Sequence, residues 1–291
     1  MSRRIVVVHA HPDDETLWTG GMIARYVARG VAVTLVTCTL GEQGDVLIEE
    51  LRGLAADRAD QLGGYRVAEL RAACAVLGIT DQRFLGGMGR WRDSGMIAQP
   101  GARASLPADL HSRAFAAGRL DEQVDALLTV LEQVRPQVVV TYGPDGGYGH
   151  PDHVRAHQVT MAATAKTSDV QRVFWAVRPV SAVAEGIAEL RAMPGLPFPL
   201  PDSHGLPGVD DAEVTTELDV AAYRNDVLTA MRAHATQVRV WIFGPHAAFA
   251  LSDGVARPVF DTEHFTLASG VAEGACDDLF GGLPLGSEGT P

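Results

Sequence analysis

The sequence has few cysteines, a deficit of positive charge and no long apolar run. Among its 291 residues there are three cysteines, and 24 lysines and arginines stand against 36 aspartates and glutamates, for a net charge of −12. The cysteines are far apart with no C-x-x-C pair, which argues against a disulfide framework and a thiolate metal site. Without a basic stripe, the electrostatic footprint of a nucleic-acid-binding protein is missing. No window reaches the roughly 18 apolar residues that a membrane helix requires.

These absences favour small neutral or cationic molecules as substrates, with neither nucleic acid nor a membrane as partner. The N-terminal apolar stretch is too short for a signal peptide and is interrupted by His9, so we expect a cytoplasmic protein. Hydrophobic residues make up 46% of the chain, enough for a large core. We therefore expect one elaborated domain over residues 1–291.

Apolar runs alternate with helical patterns along the first 180 residues. Residues 5–10 and 31–39 are rich in β-branched residues, as buried strands are, and residues 20–30 between them have helical spacing that ends at Gly30. The alternation continues with helical patterns at 57–78 and 120–134 and with strands at 84–85, 137–142 and 172–177. It predicts an α/β fold, a Rossmann-like, mostly parallel sheet with helices on both faces.

Several segments interrupt this pattern. Residues 99–118 and the proline-rich residues 193–209 are expected to be loop insertions over the surface. A C-terminal extension follows, with a helix at 219–235 and late strands at 238–242 and 248–251. The glycine-rich tail from about residue 270 is expected to be loosely ordered.

The first strand ends in a cluster of histidines and carboxylates, H-A-H-P-D-D-E at residues 9–15. Ligands of open α/β sheets bind at the carboxyl ends of the strands, so this cluster lies where a site is expected. A dinucleotide phosphate would need a G-x-G-x-x-G loop, which is absent, and the carboxylates would repel it. The cluster favours a cation.

A second cluster, G-P-D-G-G-Y-G-H-P-D-H at residues 143–153, follows the strand at 137–142. Pro151 suits the first position of a helix, which would place His150 near the N-cap and His153 in the first turn. Each His-Pro-Asp could instead be only a helix-capping device. Because the pattern occurs twice, each time after a strand, it predicts a divalent metal held by two histidines and one carboxylate, with an open position for water.

The other histidines carry a weaker signal. His157 lies four residues after His153 and would extend an H-x-x-x-H pair, but a three-ligand site is already filled without it. The remaining ones have no partners nearby in the sequence, and we expect them to be surface or structural residues: His111, His204, His234, His246 and His264.

The motifs A-H-P-D-D-E (10–15) and H-P-D-H (150–153) resemble the signature of the LmbE-like (PIG-L) superfamily of metal-dependent de-N-acetylases. The resemblance covers most of the chain, through residues 36–45, 60–70 and 233–238. The block L-G-G-M-G-R-W-R-D-S-G-M (85–96) is most similar to the mycothiol-pathway branch of that superfamily. Members of that branch remove acetate from N-acetylglucosaminyl-inositol, a pseudo-disaccharide, and the resemblance implies the same reaction here.

The resemblance also implies the catalytic machinery. It makes His11, Asp14 and His153 the ligands of one divalent metal per chain, Zn²⁺ or alternatively Fe²⁺, in agreement with the two-cluster argument. Asp13 corresponds to the general base that deprotonates the attacking water.

Four further residues correspond to groups around the substrate. His150 matches a histidine that stabilises the tetrahedral intermediate and assists leaving-group protonation, and Tyr148 matches a mobile tyrosine over the site. Arg66 and Asp93 match residues that hold sugar and inositol hydroxyls. On spacing alone, Arg66 is typical of a solvated helix residue, and Asp93 is equally typical of an Asx-turn.

Other functions remain open from the sequence. A mycothiol S-conjugate amidase, or another sugar deacetylase of the superfamily, would keep both metal motifs. The amidase carries a lysine early in the first helix and a proline before the second histidine motif, where this chain has residues 17–19 (L-W-T) and Gly149. A non-catalytic metal or nucleotide sensor would keep the metal ligands but would not need Asp13.

Overall fold

The computed structural model describes residues 3–202 and 205–284. The helices are α1 (Asp14–Ala28), α2 (Leu62–Leu77), α3 (Leu120–Val134), α4 (Pro151–Thr164), α5 (Val180–Ala192) and α6 (Arg224–Ala233). The strands are β1 (Arg4–His9), β2 (Ala32–Thr37), β3 (Asp81–Phe84), β4 (Ile97–Gln99), β5 (Arg103–Ser105), β6 (Val138–Tyr142), β7 (Arg172–Val177), β8 (Thr216–Asp219), β9 (Arg239–Phe243), β10 (His246–Ala250), β11 (Ala256–Pro258) and β12 (Thr262–Gly270).

The main sheet has seven strands in the order β3-β2-β1-β6-β7-β12-β8. The five strands from β3 to β7 are parallel to one another, whereas β12 runs antiparallel to both β7 and β8. The chain builds outward from β1 to β3 and then crosses to β6 on the other side of β1. The direction of winding therefore reverses between β1 and β6, which opens a crevice at their carboxyl ends. The predicted α/β fold with a mostly parallel sheet is confirmed.

Helices cover both faces of this sheet. Ile5 and Val7 of β1 pack in one core with residues of α1 and α2, and Val6 and Val8 pack in the other with residues of α3 and α4. All four side chains are fully buried. Burying each is worth about 1.5–3 kcal/mol, so β1 is firmly held on both faces and gives the loop after it a rigid base.

Helix α1 starts earlier than the sequence pattern predicts and is broken inside. The helix begins at Asp14, whereas the sequence pattern predicts a start near residue 20. The pattern misses the first turns because the polar residues there have no apolar periodicity. At Thr19 the backbone leaves the helical region, with φ −141° and ψ 15°. The N–H groups of Gly21 and Met22, freed by the break, donate to the carboxylate of Glu263 on β12 at 2.7 and 2.9 Å. Glu263 thus caps the second half of α1 from across the fold.

The capping carboxylate predicts a pH-dependent stability. Burial raises the pKa of Glu263 to about 7, against the opposing effect of the two N–H groups and Arg178. The folded protein therefore binds more protons than the unfolded chain between about pH 4.5 and 7, and the contribution of Glu263 to stability falls as pH rises through that window.

We expect Glu263→Gln to remove this pH-dependent contribution to stability, because glutamine does not titrate. The free energy of unfolding of the wild type minus that of the variant should fall by about 1–3 kcal/mol from pH 5 to pH 8. Each unit of pKa difference between the folded and unfolded states is worth about 1.36 kcal/mol, and partial exposure of Glu263 to solvent reduces the effect. Urea unfolding of both proteins at several pH values measures the difference. A difference that is constant across pH would contradict the assignment.

Other departures from the sequence patterns lie at chain excursions and in the C-terminal part. The segment 99–118 is not wholly irregular, because β4 and β5 pair as a hairpin at its start. The helical pattern at 57–78 is realised from Leu62, since Asp60 adopts a positive φ of 54° just before it. Strands β8 and β12 and helix α5 were not predicted, whereas the late strands near 238–242 and 248–251 form as β9 and β10.

The first part of the tail packs on the core instead of being loosely ordered. Leu279 and Phe280 are buried in the cluster that contains β1 and α1. The Tyr26 hydroxyl donates to Asp278 and accepts from the N–H of Leu279, both at 2.7 Å. Leu279 and Phe280 thus hold this segment against the core, and residues 285–291 lie outside the described residues. Over the described ranges, no helix is long and apolar enough to cross a membrane.

Candidate active site

Three loops at the carboxyl edge of the sheet converge beside the crevice between β1 and β6. The loop after β1 carries His11 and Asp13 and leads into Asp14 at the start of α1, and the loop after β6 carries Tyr148 and His150 and leads into His153 in the first turn of α4. The chain after β3 adds Asp93 from the neighbouring part of the edge. As Pro151 predicts, His150 is the N-cap of α4 and its ring accepts from the N–H of Asp152. The two sequence clusters, residues 9–15 and 143–153, therefore meet although they are far apart in the sequence.

Three ligand-type atoms form a nearly regular triangle at the centre. The distances are 3.2 Å between His11 Nδ1 and Asp14 Oδ2, 3.3 Å between His153 Nε2 and Asp14 Oδ2, and 3.3 Å between His153 Nε2 and His11 Nδ1. Tetrahedral zinc with nitrogen and oxygen ligands at about 2.0–2.1 Å has ligand–ligand edges of about 3.3–3.4 Å. The triangle therefore fits three ligands of such a metal and leaves the fourth corner free.

The outward nitrogens of both histidines have partners that fix the tautomers. Nδ1 of His153 contacts the carbonyl of Gly146 at 3.1 Å, so it carries the hydrogen and leaves the Nε2 lone pair free for a cation. Nε2 of His11 contacts Asp152 Oδ2 at 3.3 Å and Asp93 Oδ1 at 3.6 Å, which leaves its Nδ1 lone pair on the triangle. Carboxylate and carbonyl partners of this kind orient metal-binding histidines.

The electrostatics of the cluster also favour a cation. Burial alone would lower the pKa of His11, yet Asp93 and the hydrogen-bonded carboxylates of Asp14 and Asp152 hold it well above its ordinary value. Burial alone would raise the pKa of Asp14, but His153 and His11 hold it well below its ordinary value. A field that attracts a proton this strongly also attracts a divalent ion.

His150 lies beside the triangle in a different state. Because its Nδ1 accepts the N–H of Asp152, the neutral ring carries its hydrogen on Nε2. Burial and the neighbouring His11 and His153 hold the pKa of His150 well below its ordinary value. In this state the neutral ring can donate through Nε2–H; His150 also lies near enough to His11 and His153 to form a possible metal-binding group with them.

Asp13 has an unusual backbone and one direct cationic neighbour. Its φ is 111°, a region that residues with a side chain rarely adopt. Arg66 contacts Asp13 Oδ2 at 3.1 Å and also donates to the carbonyls of Pro12 and Gly41. Burial raises the pKa of Asp13 to about 7, although Arg66 opposes the shift. A carboxylate with a pKa near 7 is matched to proton transfer at neutral pH.

The two residues expected to hold hydroxyl groups are both in the cavity wall and both already engaged. Arg66 makes the contacts described above, and Asp93 accepts from the N–H groups of Gly95 and Gln43 at 2.8 and 3.1 Å. The bond from Gly95 is that of an Asx-turn, so Asp93 has the local role that its sequence suggested as well as a place at the site. Hydroxyl binding by either residue stays a prediction.

Sequence reasoning missed three buried polar residues near the cluster. Asp152, between the two motif histidines, accepts from Ser94 N and Oγ at 2.9 and 2.5 Å as well as contacting His11. Glu15 and His234 form a buried pair at 2.7 Å. Burial lowers the pKa of His234, but Glu15 outweighs this and leaves it raised. Asp152 and Glu15 lie inside the two histidine motifs, which could have drawn attention to them, whereas no local signal marked His234 as a partner of Glu15.

Among the described residues, His157 and His234 do not belong to the triangle. Nδ1 of His157 contacts the carbonyl of Tyr142 at 3.0 Å, and its ring packs against Trp175. His234, expected to be a surface or structural residue, is fully buried. His204 lies outside the described residues.

A cavity of about 700 Å³ opens over the cluster. This volume is within the range of small-molecule sites. Tyr148 lines the cavity, with its ring centroid 5.9 Å from that of His150. The β4–β5 hairpin forms part of the wall, and the N–H of Ala104 donates to the carbonyl of Tyr148 at 2.8 Å. The insertion at 99–118 thus borders the site and is bonded to the loop that carries His150.

The histidine–carboxylate cluster lies in the crevice between β1 and β6, with the cavity above it, and together they form a candidate active site. The chain belongs to the PIG-L family, whose model, described as GlcNAc-PI de-N-acetylase, matches residues 6–164. That stretch contains both histidine motifs.

Two curated relatives are similar over nearly the whole length. The 1D-myo-inositol 2-acetamido-2-deoxy-alpha-D-glucopyranoside deacetylase 1 of Saccharopolyspora erythraea is 60% identical over 293 residues, which cover 99% of this chain and 96% of that protein. The deacetylase of the same substrate from Actinosynnema mirum is 58% identical over 281 residues, covering 96% and 97%. The chain is therefore a member of an acetamide-hydrolysing family.

A solved structure supports the fold. The N,N'-diacetylchitobiose deacetylase of Pyrococcus horikoshii has a TM-score of 0.52 and 17% identity, over 81% of this chain and 70% of that one. At this identity the likeness concerns the fold alone.

Proposed function

We propose that the protein removes the N-acetyl group of 1D-myo-inositol 2-acetamido-2-deoxy-α-D-glucopyranoside, a step that belongs to mycothiol biosynthesis. The main structural support is the triangle of His11, Asp14 and His153 with a raised-pKa carboxylate, Asp13, beside it. The choice of substrate rests on the two relatives at 60% and 58% identity, which are both named as deacetylases of this compound. A cytoplasmic location accords with the proposal and stays a prediction.

His11, Asp14 and His153 would hold one divalent ion, Zn²⁺ or alternatively Fe²⁺. The nitrogen and oxygen donors suit either ion, and the edges near 3.3 Å suit tetrahedral coordination. Such an ion, when bound, lowers the pKa of water and polarises a carbonyl oxygen.

The side chains around the triangle would move the protons. Asp13 accepts a proton from the water that attacks the acetyl carbonyl, since its pKa near 7 leaves a large basic fraction at neutral pH. His150 presents Nε2–H as a neutral donor and stabilises the oxyanion that develops on the acetyl oxygen. The proton held by Asp13 then passes to the amine as the C–N bond breaks, so acetate and the free amine leave.

Three more residues would orient the substrate. Tyr148 borders the cavity beside His150, and Asp93 and Arg66 lie in its wall, where a sugar or inositol hydroxyl can compete for their hydrogen bonds. Holding the acetamide fixed near Asp13 and His150 contributes to the rate by orientation. The cavity volume accommodates a pseudo-disaccharide, so the partner is a small molecule.

A reconstitution experiment tests the proposal. Chelator-treated protein is reloaded with Zn²⁺ or Fe²⁺, and amine release from N-acetylglucosaminyl-inositol is compared with cleavage of a mycothiol S-conjugate. We expect deacetylation to depend on metal and to have the higher kcat/KM. A dominant conjugate cleavage would replace the deacetylase by an amidase with the same site, and turnover unaffected by chelation would contradict the metal proposal.

A further inference from the structure

A buried polar relay connects the C-terminal part of the chain to the backbone of Asp13. His234 directly follows α6, and its Nε2 contacts Glu15 Oε1 at 2.7 Å. The other carboxylate oxygen, Glu15 Oε2, accepts the N–H of Asp13 at 2.9 Å. His234 and Glu15 are fully buried, so solvent does not weaken either contact.

The relay acts on a strained residue. The φ of 111° at Asp13 is a costly conformation for a residue with a side chain, and such conformations persist only where the surroundings over-determine them. Besides the helical bonds that its carbonyl accepts from the N–H groups of Thr16 and Leu17, Asp13 is held by the Glu15 carboxylate on its N–H and by Arg66 on its side chain. Only the Glu15 tether depends on His234, which is 219 residues away in the sequence.

The surroundings of His234 indicate that its Nε2 contact is the one that matters. Its Nδ1 has no hydrogen-bond partner among the described residues. Two residues further on, Thr236 bonds through N and Oγ1 to the carboxylate of Glu69 on α2, at 2.8 and 2.7 Å. The 234–237 segment thus has a second anchor that does not touch Glu15, so general anchoring and the contact with Glu15 can be separated.

We propose that His234 is a positioning residue for the reaction, which holds Glu15 so that Glu15 fixes the backbone of Asp13 and aims its carboxylate. The inference rests on the proposed deacetylase function. The side chain of His234 neither lines the cavity nor contacts the three metal-binding atoms. Its bond to the cavity-lining Gln237, whose N–H donates to the His234 carbonyl at 2.9 Å, is made by the backbone, so the hydrogen-bonded route from the His234 side chain to Asp13 runs through Glu15.

Substitution of His234 should lower kcat and leave binding unchanged. We expect His234→Ala to reduce kcat about 10- to 100-fold, since a displacement of about 1 Å in a catalytic group costs about that much. KM should change less than threefold and metal content should stay the same. His234→Gln places an amide N–H where Nε2–H was and loses nothing at the unpartnered Nδ1, so it should recover most of the kcat.

Two further variants separate positioning from stability. Thr236→Val removes the hydroxyl bond to Glu69 and keeps only the backbone N–H bond of that anchor, so it should lower the thermal midpoint at least as much as His234→Ala while keeping kcat within about threefold. In the Asp13→Asn background, His234→Ala should lower kcat no further, because residues that act as a unit are non-additive. The readouts are kcat, KM, thermal midpoint and metal per chain for the full chain loaded with Zn²⁺.

Each other outcome overturns the inference. These outcomes are no loss of kcat in His234→Ala, equal loss in Thr236→Val, no recovery in His234→Gln, and a full additional loss on top of Asp13→Asn. If the wild type deacetylates in those cases, the proposed function stands and only the role of His234 is wrong. A metal-loaded wild type that releases no acetate overturns the proposed function, and the inference with it.

Discussion

Asp13→Asn is expected to lower kcat for deacetylation by about 10³-fold, within the 10²–10⁴-fold range of general acid–base catalysis, while the protein keeps its metal. Asparagine has nearly the same shape and still accepts a hydrogen bond from Arg66, which contacts Asp13 Oδ2 at 3.1 Å. It cannot take a proton from water. The three ligand atoms of the triangle are untouched. Acetate release and metal per chain, measured on the same preparations, check both parts.

A second carboxylate of the cavity provides the control. Asp253 also lines the cavity but pairs with Arg257 at 2.7 Å and lies outside the histidine cluster. Because such a partly exposed pair is worth about 0–1 kcal/mol, Asp253→Asn should fold normally and keep kcat within about twofold. If Asp13→Asn lost its metal, Asp13 would be a ligand and the base would have to be another residue.

His153→Ala is expected to weaken metal binding more than about 100-fold and to abolish measurable turnover. Even residues that only orient metal ligands are worth 10- to 100-fold in affinity, and His153 Nε2 is one corner of the triangle. Metal per chain after dialysis and the affinity for Zn²⁺ in a competition titration measure the loss.

His157→Ala is the matched control on the same helix, one turn further on. His157 bonds to the carbonyl of Tyr142, away from the triangle. The variant should keep one metal per chain and most of its turnover. Loss of metal in His157→Ala with retention in His153→Ala would make the assignment wrong and would place the site on the other histidine.

The position of the site was predictable because its chemistry is local in sequence. His11 to Asp14 come just after β1, and His150 to His153 come at the end of the loop that follows β6. The carboxyl ends of these neighbouring parallel strands lie at the same edge of the sheet. The N-cap position of His150 followed from Pro151 by the same kind of local rule. Where a residue type, a strand end and a helix start coincide, the sequence is sufficient to place a side chain.

The supports of the site were not predictable, since they depend on contacts between distant residues. No local pattern pairs Glu15 with His234 or places Asp152 behind His11. Strand β12 was not predicted for a related reason. Most of its residues are only half-buried, so it lacks the apolar run of β1, and its place beside β7 is set by tertiary packing.

The link between Glu15 and His234 limits how this chain can be recombined. The family model ends at residue 164, whereas the partner of a carboxylate in its first motif lies at residue 234. A chimera that joined residues 1–164 to an unrelated C-terminal half would leave Glu15 as a buried charge without its cation, which is costly. The boundary of sequence similarity is therefore not a boundary of physical independence, and any graft has to include the 234–237 segment.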